Sequence, residues 1–145
     1  MAKKVSITKV VHVPAARIFD ALTDPVQHVL LDGSGSVCGT DATGRTRLRL
    51  GDTFSMEMRL GAPYRVTNRV VEYEEGRLIA WRHFGGHRWR WELTPVDEQT
   101  TEVTETFDYS TAPMAFLLKL LGFPERNRKG IQATLNGLEV VLAPP

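Results

Sequence analysis

Leu78-Ile79-Ala80-Trp81-Arg82-His83-Phe84-Gly85-Gly86-His87-Arg88-Trp89-Arg90-Trp91-Glu92-Leu93 is two alternating runs joined by paired glycines. Alternation of this kind marks strands, and a two-residue Gly-Gly loop favours the mirror-image turns of tight hairpins. Such a loop predicts the facing pairs Phe84–His87, Arg82–Trp89, Ala80–Trp91 and Leu78–Leu93 on one sheet face. The other face then carries Ile79, Trp81 and His83 against Glu92, Arg90 and Arg88, a mostly polar surface with Trp81 beside Arg90. The first face is therefore expected to be the concave one. A one-residue bulge exchanges the two faces.

Period-two alternation runs over residues 51–109. Residues 53–60 put Phe54, Met56, Met58 and Leu60 on one face and Ser55, Glu57 and Arg59 on the other. Residues 64–73, 77–84, 88–94 and 101–109 read as further strands. Their separators carry turn chemistry: Gly61-Ala62-Pro63, Glu74-Glu75-Gly76, Gly85-Gly86 and Asp97-Glu98-Gln99. Across the last separator, Val103 is expected beside Leu93, Glu105 beside Trp91 and Phe107 beside Trp89. In residues 64–73 two parities compete, Val66, Asn68 and Val70 against Thr67, Val71 and Tyr73.

Residues 4–13 form a first strand, and Pro14 opens a helix over 15–23 with an Ile18, Phe19 and Leu22 stripe. Asp24-Pro25 ends it. A short helix over 26–31 and a flexible glycine-rich loop, Asp32-Gly33-Ser34-Gly35-Ser36, follow. Helical spacing returns at 114–121 and at 125–142, where Ile131, Leu135, Leu138 and Leu142 recur every three or four residues. Strand, helices, a run of strands, then a long helix describe an α+β layer with its helices segregated from the strand run.

The bulk numbers bound the function. The chain of 145 residues predicts one domain over 1–145, long enough to bury a core without staples. Its 18 basic and 17 acidic residues leave a net charge of +1, which supplies no field for a phosphate backbone and argues against nucleic acid. A lone cysteine, Cys38, suits a reducing cytoplasm. The opening residues alternate and are not a signal peptide, and no apolar run reaches the ~20 residues of a membrane span, so integral membrane association is not expected.

Few residues carry recognisable chemistry. Cys38 with His28 is weaker as a nucleophile pair than as incidental neighbours, because no activating partner is specified. His83 and His87 point to opposite faces on the two-residue-loop register, which makes a poor metal site; His12 and His28 add none, and no metal or cofactor is expected. The glycines of 33–39 lack the dinucleotide-binding spacing. Glu105, set among Trp, Phe and Met, must pair, bond water or stay protonated, and Arg82 is its candidate partner. The apolar segment 114–123 reads first as a buried turn of helix; its alternatives are a mobile lid or a homodimer contact.

Several segments, in order, resemble a known family. They are residues 11–25 with their strand-then-helix opening and terminal Asp24-Pro25, residues 28–35, Asn68-Arg69-Val70-Val71-Glu72-Tyr73, Arg77-Leu78-Ile79-Ala80-Trp81, residues 100–108, and the closing helix from Ile131 to Leu142. Together they are similar to the START/Bet v 1-like (SRPBCC) superfamily, in its polyketide cyclase/dehydratase-like branch. The resemblance implies a helix-grip fold, a curved antiparallel sheet around a long C-terminal helix, with an interior cavity for lipids, polyketides or other apolar molecules. It carries no universal catalytic residue.

The expected function is binding of an apolar or aromatic small molecule. Phe54, Met56, Met58, Trp89, Trp91, Phe107 and Leu135 are the expected lining, with Arg82 and Glu105 as polar contacts. The alternatives are a cyclase, dehydratase or hydrolase using Glu105 as acid or base, and a protein-interaction module with a filled interior and an exposed apolar patch.

Overall fold

A computed structural model describes residues 3–33, 37–40, 47–60, 62–83, 86–110, 112 and 115–142. The elements run β1 (Lys4–Val11), α1 (Ala15–Leu22), α2 (Pro25–Leu31), β2 (Val37–Thr40), β3 (Thr53–Leu60), β4 (Ala62–Glu74), β5 (Leu78–His83), β6 (Arg88–Asp97), β7 (Thr100–Asp108), α3 (Ala115–Leu120) and α4 (Phe123–Val141). The strands form one antiparallel sheet in the order β1-β7-β6-β5-β4-β3-β2. Only the link from β1 to β7 is long, so β1 is held at the edge by pairing that spans the chain. This is the α+β helix-grip arrangement expected from the sequence. Strand β2 lies where the sequence suggested a flexible loop.

Registers decide which side chains face α4. Between β6 and β7 they are those expected: Trp89 opposes Phe107, Trp91 opposes Glu105 and Leu93 opposes Val103. Between β5 and β6 the register differs by one residue, for Trp81 opposes Trp89, Ile79 opposes Trp91 and Arg82 opposes Arg88. The loop therefore counts three residues, 84–86, instead of two. The His83 N–H donates to the His87 carbonyl at 2.9 Å and the Gly86 N–H to the His83 carbonyl at 2.9 Å. Gly86 sits at φ +96°, the left-handed position that three-residue hairpin loops need. The pair expected between Phe84 and His87 falls partly outside the described residues.

This shift turns Trp81 and His83 inward and sends Arg82 to the convex face, where it is exposed. The convex face is a charge ladder in which Glu72 receives Arg88 at 3.0 Å and Arg90 at 2.6 Å. In β4 both competing parities occur. Val66, Asn68 and Val70 are buried, then a bulge between Val70 and Glu72 lets Tyr73 pack against the core opposite Ile79.

Helix α4 has a solid end and a hollow end. Its second half is fastened to β1 and α1: Lys9 Nζ donates to Asn136 Oδ1 at 3.0 Å, the His12 N–H to Glu139 Oε1 at 2.8 Å, and Arg17 Nε to the Leu142 carbonyl at 2.5 Å. There Leu135 and Leu138 join Val11, Ile18, Phe19, Leu22 and Val103 in a fully buried core. Each such aliphatic side chain contributes about 1.5–3 kcal/mol by burial. Halfway along, Gly33 lies against the α4 backbone and donates its N–H to Thr134 Oγ1 at 2.9 Å. A Cβ on Gly33 would come within 2.5 Å of the Ala133 carbonyl carbon, so only glycine allows this approach.

Candidate functional site: a tryptophan-lined cavity

Beyond the core, the first half of α4 stands away from the curved sheet and leaves a cavity of about 840 Å³. That lies within the range of small-molecule pockets. The sheet supplies Phe54, Met56 and Met58 from β3, Trp81 and His83 from β5, Trp89 and Trp91 from β6, and Glu105 and Phe107 from β7. Helices close it with Leu117 of α3 and with Phe123, Arg126, Ile131 and Thr134 of α4. The chain has three tryptophans and all three line this space.

Of the side chains expected at the site, Phe54, Met56, Met58, Trp89, Trp91, Glu105 and Phe107 border the cavity. Two do not. Arg82 is on the opposite face of the sheet because of the three-residue loop, so it cannot be the counter-ion of Glu105. Leu135 is fully buried in the solid end, one residue past Thr134, where the helix has already closed on β1 and β7.

Glu105 is consequently a carboxyl with no cation partner among the described residues. In the row Ile7–Glu105–Trp91–Ile79 its lateral neighbours are Ile7 and Trp91, and along its own strand Val103 and Phe107 share its face. Glu105 is 6% exposed and Trp91 3%, and among the described residues neither Glu105 Oε1 nor Trp91 Nε1 has a hydrogen-bond partner. Burial pushes the Glu105 pKa well above the usual carboxylate range, and the nearby negative charge of Asp32 adds to the rise. The shift favours the protonated form, which would place an O–H donor in an apolar wall.

Imidazoles occupy two further places. The His28 ring stacks on Trp81 at 4.8 Å and meets the edge of Phe54 at 5.3 Å. Its Nε2 lies 2.7 Å from the Leu22 carbonyl, which can only accept, so Nε2 carries the proton. Burial lowers the His28 pKa to about 4, against the opposing pull of that carbonyl and of Asp24. It is thus a neutral structural ring. The Cys38 thiol lies outside the described residues. His83 and His87 stack at 4.3 Å on the same face, not on opposite faces, and burial followed by repulsion from His83 lowers the His87 pKa to about 4. Among the described residues no group of three or more His, Cys, Asp or Glu side chains could hold a metal ion.

Sequence reasoning missed Trp81, His83, Asn68 and Asp32 as lining residues. A signal for Trp81 was available. Ile79 and Trp81 share a parity, as do Trp89, Trp91 and Leu93, and only an odd loop brings the two apolar sets to one face. Turn preference for paired glycines pointed the other way. Helix α3 is also not a buried turn: Leu117 faces the cavity, but Phe116 is 76% exposed and Leu120 70%.

The comparisons with known proteins agree with this architecture. The chain is 42% identical over 137 residues to the uncharacterized protein Rv0088 of Mycobacterium tuberculosis, covering 91% of this chain and 61% of that protein. It thus spans less than two thirds of this relative's length. Among solved structures it resembles protein CV1439 of Chromobacterium violaceum, with a TM-score of 0.74, 22% identity, and 98% and 99% of the two chains covered. It also resembles PFC0360w, an HSP90 activator from Plasmodium falciparum, with a TM-score of 0.64, 21% identity and 99% of each chain covered. At these identities the likeness is one of fold. No helix among the described residues is long and apolar enough to cross a membrane. The family model for polyketide cyclase / dehydrase and lipid transport matches residues 2–143, and the chain belongs to that family of the START/Bet v 1-like superfamily.

Proposed function

We propose that this protein binds an apolar or aromatic small molecule, carrying a polar group, in the cavity between the sheet and the first half of α4, and does so in the cytoplasm. The observation that carries this reading is the cavity of about 840 Å³ walled by all three tryptophans. The family's ligand-binding fold supports it. A filled interior, which a pure protein-interaction module calls for, is not what α4 and the sheet enclose.

Because every tryptophan borders the cavity, intrinsic emission reports on this site alone. Titration with naphthalene-based hydrophobes should quench that emission saturably, and Trp89→Phe should reduce the quenching amplitude. Linear, unsaturable quenching would remove the basis for the proposal. Product formation during the same titration would move the reading to an enzyme with Glu105 as general acid, whose turnover must then collapse in Glu105→Gln. The outer face of α3 and the turn after it, with Phe116, Leu120 and Leu121 exposed, favours contact with a second copy of the chain.

A further inference from the structure

We infer that the inner wall of the cavity is a two-donor site for a neutral oxygen acceptor, the carbonyl of a ketone or amide on an otherwise apolar ligand, held by Glu105 and Trp91. The inference rests on the cavity-binding reading and names the chemistry its ligand must present.

The geometry selects against charged polar groups. Glu105 and Trp91 face each other across the β6–β7 ladder, both more than nine-tenths buried, and each keeps an unpartnered polar atom. Trp91 Nε1–H can only donate. An ammonium group would satisfy an ionised Glu105 yet leave the indole N–H opposed to a second donor. A carboxylate would have to enter beside Glu105 and Asp32, which both line the cavity. The lining arginines, Arg65 and Arg126, belong to the β3–β4 hairpin end and the start of α4, not to the Glu105 row. A neutral carbonyl oxygen has two lone pairs, enough to accept from both donors. Burial raises the Glu105 pKa and so favours the proton it would donate, and a protonated carboxyl in an apolar site is an effective donor to a carbonyl. Phe107 and Trp89, one row along, form a ring pair at 5.0 Å on which an aromatic body can lie.

The test compares acetylnaphthalene, ethylnaphthalene and naphthylethylamine, which share ring and chain length, by tryptophan quenching on the wild-type chain. The ketone is expected to bind on the order of tenfold more tightly than the hydrocarbon, as two buried hydrogen bonds require. Its bound carbonyl stretch, read by infrared difference spectroscopy, should move to lower frequency than in hexane. Glu105→Leu and Trp91→Phe should each shrink the ketone-to-hydrocarbon ratio and reverse part of the infrared shift. Equal affinity for ketone and hydrocarbon overturns the two-donor site while leaving the binding cavity standing. Preference for the amine overturns it too, by showing an ionised Glu105. Failure of all three probes to quench removes the cavity reading itself. The wild-type comparison decides even if a variant does not fold.

Discussion

Glu105 and His28 are buried titratable groups whose pKa values move apart, and they act on stability with opposite signs. His28, depressed from 6.5 to about 4, is stabilised in its neutral form, so its contribution is complete above pH 6.5 and is lost as pH falls towards 4. By linkage this amounts to roughly 3 kcal/mol. Glu105, raised by burial, is stabilised as the acid; its contribution is complete below about pH 4.5 and is lost as pH rises through its folded value. Urea midpoints against pH should therefore fall on both sides of a maximum. In Glu105→Gln the alkaline limb should flatten and the acid limb steepen, because the opposing slope of Glu105 above pH 4.5 is removed. An alkaline limb unchanged by that substitution would show that Glu105 does not titrate in this range. Glu105 stood out in the sequence because a carboxylate among Trp, Phe and Met needs an explanation. Its lack of a partner was not legible, because the partner expected, Arg82, depended on one loop length.

At the scale of elements, two joints set the cavity. One is the three-residue β5–β6 loop, which turns Trp81 inward. The other is the contact of Gly33, just past α2, with the α4 backbone. The second joint holds α2 and α4 together at the boundary between the solid and hollow ends. Gly33→Ala must push Ala133 away or lose the bond to Thr134, and should cost about 1–3 kcal/mol, read as a lower urea midpoint. It should also weaken hydrophobe binding, because the cavity wall at Thr134 shifts with it. A variant as stable as the wild type would mean that α4 gives way freely here. The sequence marked Gly33 as part of a flexible loop. Close packing of backbone on backbone leaves no trace in periodicity.

For the molecule as a whole, the unresolved balance is between a hollow interior and an apolar exterior face. Leu117 closes the cavity while Phe116, Leu120 and Leu121 point away from it, with Lys119 between them. Sedimentation equilibrium should show self-association that weakens at least tenfold in Phe116→Ser/Leu120→Ser, since removing two large apolar contacts forfeits several times 1.4 kcal/mol. A monomer at all concentrations would leave α3 as a lid only. Ligand quenching should persist in the double variant, because neither side chain lines the cavity.

Alternation, turn residues and a three-four stripe were enough to determine the antiparallel sheet, the closing helix and the β6–β7 register. Each of these follows from local periodicity, and Trp91 beside Glu105 follows with them. Tertiary structure alone decided which face of β5 is concave. Paired glycines permit loops of two or three residues, and the choice is made by the cost of putting Arg82 in and Trp81 out. It also decided that Leu135 closes the core while Ile131 and Thr134 border a void, since where a helix leaves a sheet depends on the curvature of all its strands together.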